Sequence, residues 1–166
     1  MSKITLTPES ELAPQVQVAL ACVTAQIHSV LPEVDVEHIG ATAIPGALTK
    51  GDLDVMVRVP SSQFPVAVAK LKTVFVVKQP KNWNDSFASF GDDTAYGLPL
   101  GVQLVIRDSE SDFLLYLRDH FIHHPDALAA YNQLKQRHAG EGSEAYWKAK
   151  HIFLSAILAA RFKRPS

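Results

Sequence analysis

The chain has 166 residues, a formal net charge of −1, 47% hydrophobic residues and 20% charged residues. This length favours one domain with a substantial core, and the charge balance argues against nucleic-acid binding through bulk positive charge. The single cysteine, Cys22, excludes an internal disulfide and a zinc site built from several cysteines, and its apolar neighbours predict a buried side chain.

The N-terminus lacks the basic region and apolar run of a signal peptide. No apolar stretch approaches the roughly 18 residues of a membrane span. We therefore expect a cytoplasmic protein that does not bind a membrane.

The first third of the chain predicts one helix and two strands. Thr7 is a suitable N-cap, Pro8 fits the first helical turn, and acidic residues follow at the positive end of the helix dipole. Apolar residues then recur at helical spacing until Pro32 interrupts the pattern. The predicted elements are a helix over about 8–30, a strand over 34–39, a turn over 40–49 and a strand over 51–59.

The rest of the chain predicts three more strands and four more helices, the last three helices in succession. The strands cover 74–77, 87–90 and 102–106, and the helices cover about 61–72, 111–123, 125–138 and 143–163. No linker-like segment separates these parts. We predict one domain over 1–166, with a mixed-sheet core over about 34–107 and a helical C-terminal part over about 111–163.

Two aspartates, Asp52 and Asp54, stand at the start of the predicted strand 51–59. Residues two apart on a strand point to the same face, so these carboxylates lie side by side while Leu53 and Val55 point to the other face. Two anions at such a distance repel each other unless a cation lies between them. The pattern predicts a divalent metal site with nucleotide phosphates as further ligands, and a solvated strand start is the alternative.

The segment containing these aspartates resembles the signature of the nucleotidyltransferase superfamily, a Gly-Ser or Gly-Gly turn followed by Asp-x-Asp or Asp-x-Glu on a strand. It is more similar still to the GrpB (UPF0157) family, whose pattern reads His-x-Gly-Ser-Thr-Ala-x-Pro-Gly-Leu-x-x-Lys before the acidic strand. The matching residues are His38, Gly40, Thr42, Ala43, Pro45, Gly46, Lys50, Asp52 and Asp54. The resemblance covers most of the chain and implies an α+β fold, a nucleotidyltransferase-like mixed β-sheet flanked by helices with a helical C-terminal portion.

The resemblance also implies an activity: binding of a nucleoside triphosphate with Mg²⁺ or Mn²⁺, and transfer of a nucleotidyl group to an unknown acceptor. Asp52 and Asp54 would be the catalytic residues and the metal ligands. Gly40, Ala41 and Thr42 resemble the turn that holds phosphate, where backbone N–H groups cradle an anion. Ala41 replaces the family's usual serine, and a simple strand-ending turn is the alternative interpretation.

Four further residues are candidates for this site. Lys50 would pair with a phosphate or with Asp52, and His38 is either a ligand contact or base, or a buried hydrogen-bonded residue. Tyr146 and Lys150 are four residues apart and share one helix face, as in the family's C-terminal helix. An inward-facing Lys150 would reach a triphosphate, and a solvated lysine beside a packed tyrosine is the alternative.

The third carboxylate of the superfamily has no obvious counterpart in this sequence. Gln103 stands near the start of the predicted strand 102–106, where an acid would complete the set. An amide carbonyl binds a metal weakly and brings no charge. Asp92 and Asp93 lie in a predicted exposed turn. The alternative function is therefore a catalytically inactive ligand-binding or protein-interaction module on the same fold.

Overall fold

The computed structural model describes residues 3–161 as a mixed β-sheet with helices on both faces. The strands are β1 (Thr7–Pro8), β2 (Asp35–Ile39), β3 (Leu48–Thr49), β4 (Leu53–Val59), β5 (Val76–Val77), β6 (Phe87–Asp92) and β7 (Leu100–Ile106). The helices are α1 (Glu9–Val30), α2 (Phe64–Leu71), α3 (Leu114–His123), α4 (Pro125–Ala139) and α5 (Ser143–Arg161).

Five strands form the main sheet in the order β2-β4-β7-β6-β5. Strands β4 and β7 are parallel, and the other neighbouring pairs are antiparallel. Strands β1 and β3 form a separate antiparallel pair. Since β4 has β2 on one side and β7 on the other, its residues are held by hydrogen bonds along both edges.

The two faces of β4 have different environments because its side chains alternate. Leu53, Val55 and Val57 enter the main core, where they are fully buried against α1 and α2. Asp54, Met56 and Arg58 point to the opposite face, on which the C-terminal helices pack.

The C-terminal helices are joined to one another by an aromatic cluster. Phe121 of α3, Tyr131 of α4 and Phe153 of α5 stack with ring centroids 4.9 to 6.4 Å apart. Leu114 and Leu115 of α3 pack against the sheet at Met56. One cavity lies between this helical layer and the sheet.

The predicted α+β class and the order of the elements are confirmed, with differences at their ends. Thr7 does not cap α1, because it pairs with Thr49 in the β1–β3 ribbon. The first helical amide, that of Glu9, instead donates to the carbonyl of Ala47 at 2.9 Å.

Three further differences concern single segments. Strand β4 begins at Leu53, so Asp52 lies one residue before it rather than within the strand predicted over 51–59. Cys22 is exposed rather than buried, because the buried stripe of α1 runs through positions on either side of it. Strand β6 extends to Asp92, so only the end of the predicted exposed turn remains. The predicted helix end at 162–163 lies outside the described residues. Within residues 3–161, no helix is both long enough and apolar enough to cross a bilayer.

Candidate active site

The cavity between the sheet and the C-terminal helices, here called the cleft, has a volume of about 820 Å³. Almost all of the residues that the sequence predicts for the site line it together. They are Gly40, Ala41, Lys50, Asp52, Asp54, Gln103, Tyr146 and Lys150. The sequence segments involved are far apart, so the fold assembles the cleft from both walls: the sheet supplies the acids and the helices supply bases.

Asp54 occupies a slot formed by two glycines. Gly40 ends β2 with φ of +77°, and a Cβ added there would lie 2.8 Å from Asp54 Oδ2. Gly101 pairs with Asp54 across the β4–β7 ladder, and a Cβ added there would lie 2.6 Å from Asp54 Oδ1. Larger residues at either position would displace the carboxylate, so the two glycines keep room for it.

The electrostatic setting of Asp54 disfavours its ionised form. Burial, followed by the charge of Asp52, raises the pKa of Asp54 to about 6, although Lys150 and Lys50 act in the opposite direction. Lys50 Nζ lies 3.7 Å from Asp52 Oδ2. A cation bound between the two carboxylates would relieve both the repulsion and the desolvation.

Thr42 and His38 are the two predicted site residues that do not line the cleft. Thr42 is buried, and its hydroxyl lies 2.9 Å from His38 Nε2. Burial, and then the charge of Arg118, lowers the pKa of His38, which keeps the imidazole neutral. His38 and Thr42 therefore brace the turn from behind, while Ala41 stands in the cleft where the family has serine.

Gln103 faces the cleft at the place where a third acid would stand. It pairs with Met56 of β4 and with Ser89 of β6, so it lies on the same face of the sheet as Asp54, one pleat farther along. Among residues 3–161, no group of three or more His, Cys, Asp or Glu is arranged to hold a metal. The oxygens of two carboxylates and one amide nevertheless suit a hard cation such as Mg²⁺.

Two lysines face the acidic pair from different elements, with Trp147 between them. Lys50 Nζ lies 4.2 Å and Lys150 Nζ 4.5 Å from the centroid of the Trp147 ring. Burial, and then the charge of Lys50, lowers the pKa of Lys150 to about 8, although Asp54 and Asp52 act in the opposite direction. The predicted inward orientation of Lys150 thus places its ammonium beside the acids.

Tyr146 is nearly fully buried on the same helix face as Lys150, at 1% exposure. Burial, and then the charge of Asp52, raises the pKa of its hydroxyl to about 12. The phenol therefore stays protonated at neutral pH and is able to donate a hydrogen bond into the cleft.

Sequence reasoning missed Lys135, a third lysine of the cleft. Its side chain is buried at 3% exposure, and its Nζ donates a hydrogen bond to the carbonyl of Leu48 and lies 4.6 Å from the Tyr131 ring centroid. Burial, and then the charges of Lys150 and Lys50, lowers the pKa of Lys135 to about 7. The sequence contains a signal that could have identified Lys135, because Tyr131 and Lys135 have the same Tyr-x-x-x-Lys spacing as Tyr146 and Lys150.

Asn132 on the same helix fixes the chain just before the acidic strand. Its Oδ1 accepts from the Leu48 amide at 3.0 Å, and its Nδ2 donates to the Gly46 carbonyl at 2.9 Å. Asn132 and Lys135 both bind the backbone of Leu48, so they hold α4 against β3. Leu48 lies two residues before Lys50. The position of Lys50 therefore depends on a helix that lies more than eighty residues away in the sequence.

The chain is similar to proteins of one family along most of its length. The model of the family described as GrpB protein matches residues 9–160. A UPF0157 protein of Vibrio cholerae is 33% identical over 138 residues, which are 80% of this chain and 70% of the relative. The crystal structure of conserved protein GrpB from Enterococcus faecalis superposes with a TM-score of 0.66 at 20% identity, covering 88% of this chain and 94% of that one.

A second group of similar structures belongs to polymerases. The MgGTP-bound Cid1 poly(U) polymerase superposes with a TM-score of 0.50 at 13% identity and covers 82% of this chain. A cytoplasmic RNA terminal U-transferase gives a TM-score of 0.51 at 12% identity. The superposed part is 46% of the first polymerase chain and 40% of the second. These similarities show that the fold is nucleotidyltransferase-like.

Proposed function

The chain belongs to the GrpB family, and we propose that it binds a nucleoside triphosphate with Mg²⁺ or Mn²⁺ and transfers a nucleotidyl group to an acceptor. The observation that best supports this function is the slot between Gly40 and Gly101, which holds Asp54 in the cleft that Asp52 also lines. Asp54 is a buried acid whose pKa is raised beside the partly exposed carboxylate of Asp52, an arrangement that a divalent cation would stabilise.

In this proposal the chain divides the binding of the nucleotide between two walls. Asp52 and Asp54 hold the cation, which when bound polarises the α-phosphate. The backbone N–H groups at Gly40 and Ala41 approach a phosphate closely, since neither residue has a bulky side chain.

Three lysines neutralise the remaining phosphate charge, Lys135 and Lys150 from the helices and Lys50 from the segment between β3 and β4. The charge of Lys50 lowers the pKa of Lys135 and of Lys150, and the charge of Lys150 lowers the pKa of Lys135. This concentration of positive charge is unfavourable without an anion, because like charges repel. A triphosphate would therefore stabilise the charged form of the lysines, just as the cation stabilises the charged form of the aspartates.

Calorimetric titration with ATP, GTP, CTP and UTP, each with Mg²⁺ and with Mn²⁺, tests this function. The wild type is expected to bind at least one of them in a metal-dependent manner, and the Asp52→Asn/Asp54→Asn variant is expected to lose that binding. The matched control is Asp85→Asn/Asp126→Asn, which removes two exposed carboxylates outside the cleft and should bind as the wild type does. Metal-dependent binding that survives in the cleft variant would contradict the proposal.

Gln103 supports a second candidate, a ligand-binding module that has lost catalysis. Its amide brings no charge to the place where the superfamily has a third carboxylate, and Ala41 has no hydroxyl to offer a phosphate. Release of pyrophosphate from a bound triphosphate in the presence of any acceptor would exclude this alternative. Metal-dependent binding without such release, across small-molecule, protein and RNA acceptors, would favour it.

A further inference from the structure

Trp147 is a feature of the cleft that the proposed metal and phosphate contacts do not explain. Its side chain is 49% exposed, whereas that of its neighbour Tyr146 is 1% exposed. Both residues line the cleft that contains the acidic pair. A large aromatic ring left in contact with water forgoes much of the free energy that burial would give it, so a ligand that covers the ring would gain that energy.

The other tryptophan shows what a structural role looks like in this protein. Trp83 donates from its indole Nε1 to the Lys78 carbonyl at 2.9 Å, and its ring lies 5.2 Å from that of Phe90, which is buried. Trp147 instead projects beside two ammonium groups. Its surroundings are those of a binding surface rather than of a core.

The two lysines at Trp147 are the same lysines that face the acids. Lys50 lies within 4.2 Å of the ring centroid and 3.7 Å of Asp52. Lys150 lies 4.5 Å from the ring centroid. A cation–π contact at an exposed site is worth only about 0.5–1 kcal/mol, and a charged phosphate is a stronger partner for an ammonium group. Phosphates entering the cleft would draw the lysines from the ring and free its surface.

We propose that Trp147 is the platform on which the base of the bound nucleotide stacks, while Lys50 and Lys150 take its phosphates. This inference rests on the proposed function, and it concerns the base of the nucleotide, which the sheet does not contact. Stacking on an aromatic ring is available to every base, so this platform binds bases with little selection among them. The lysines couple the two contacts, since the phosphates that recruit them also expose the platform.

Comparing two ligands separates base stacking from phosphate binding. Calorimetry measures the affinity for Mg-ATP and for Mg-tripolyphosphate, which lacks base and ribose. Trp147→Leu is expected to weaken Mg-ATP binding about tenfold, within the range of base–aromatic stacking, and to leave tripolyphosphate binding within about twofold. Trp147→Phe keeps an aromatic face and should recover most of the affinity for Mg-ATP.

Fluorescence gives a second measurement that depends on this ring alone. The chain has two tryptophans, so Trp83→Phe leaves Trp147 as the only indole emitter. Saturating Mg-ATP is expected to quench its emission more strongly than saturating Mg-tripolyphosphate does.

The outcomes distinguish this inference from the function on which it rests. If Trp147→Leu binds Mg-ATP as tightly as the wild type, the platform is excluded while the nucleotide site stands. If the variant loses Mg-ATP and tripolyphosphate equally, the ring acts only by holding the lysines, and stacking is again excluded. If the wild type binds no nucleotide, both proposals fail together.

Discussion

The two ends of β4 place opposite charges on one face of the sheet, and their surroundings differ sharply. At one end, Arg58 makes an ion pair with Asp112, its Nη2 lying 2.7 Å from Oδ2, and a longer one with Asp35 at 3.3 Å. Burial raises the pKa of Asp112, but the hydrogen bonds from Arg58 and from the Asp108 amide outweigh it, so that the net pKa is lowered.

At the other end, Asp54 meets a like charge in place of a hydrogen-bonded partner of opposite charge. Its pKa is raised to about 6 by burial and by Asp52, in the opposite direction from that of Asp112. One strand thus carries both an arginine whose ion pair stabilises the fold and an aspartate without an ion-pair partner among residues 3–161, and a bound cation would balance the charge of that aspartate. Three substitutions test this difference.

Arg58→Met is expected to have the largest effect on stability. It leaves the Asp112 carboxylate, which is only 3% exposed, without its charged partner. Breaking a buried ion pair in this way costs roughly 3–5 kcal/mol in the free energy of unfolding, which urea denaturation measures. The control is Asp108→Asn, whose carboxylate is 88% exposed and 4.0 Å from the guanidinium, and whose effect should stay below about 0.5 kcal/mol. Equal effects from both variants would show that the Arg58 cluster is a surface pair.

Asp54→Asn is expected to stabilise the fold, the reverse of the effect at Arg58. Because the pKa of Asp54 is higher in the folded protein, its ionisation above about pH 6 opposes folding. The amide removes that cost, which is about 3 kcal/mol at pH 8. The gain should shrink as the pH falls from about 6 toward the ordinary carboxyl pKa of about 3.9, where the acid is protonated in both states.

Urea denaturation at pH 8 and at pH 4 checks this sign. The matched control is Asp85→Asn, an exposed aspartate outside the cleft, which should change little at either pH. Loss of stability in Asp54→Asn at pH 8 would show that the carboxylate is a structural partner, as Asp112 is.

Gln103→Glu is expected to have the smallest effect, on metal binding rather than on the fold. A third negative charge on the face of the sheet that carries Asp54 should raise the affinity for Mn²⁺ roughly threefold to tenfold, through Coulomb attraction. Electron paramagnetic resonance of free Mn²⁺ measures that affinity. Gln17→Glu adds the same charge on the exposed face of α1 and should leave it unchanged. An equal change in both variants would show a general charge effect, and no change in Gln103→Glu would place Gln103 outside the metal site.

The fold was predictable from the sequence because its elements have strong local patterns. The apolar stripe of α1 and the alternation in β4 each commit one face to the core. Element ends were less predictable, because tertiary partners determine them. Thr7 is a suitable N-cap by local rules. In the structure it pairs with Thr49 instead, and the Ala47 carbonyl accepts the hydrogen bond of the first helical amide.

The site was predictable where its residues are close in sequence and hidden where they converge from a distance. Asp52 and Asp54 flank Leu53, the first residue of β4, so their closeness follows from the sequence, and Gly40 follows from the turn beside them. Gly101 and Lys135 come from other elements, and a single sequence does not show that Gly101 packs against Asp54 or that Lys135 lies near Lys50 and Lys150. Thr42 has a hydroxyl that could bind a phosphate, but this hydroxyl is hydrogen-bonded to His38 instead of facing the cleft.

By itself, then, the sequence determined the order of helices and strands, the family and the closeness of two aspartates at the start of one strand, because periodicity and motif spacing are local properties. Only the tertiary structure decided which charged side chains have an ion-pair partner within the protein and which would gain one from a ligand. It brought Asp112 to Arg58, the glycines to Asp54, and the helical residues Lys135, Trp147 and Lys150 to the opposite wall of the cleft. The physical reason is that burial and neighbouring charge set the state of an ionisable group, and both depend on residues that are distant along the chain.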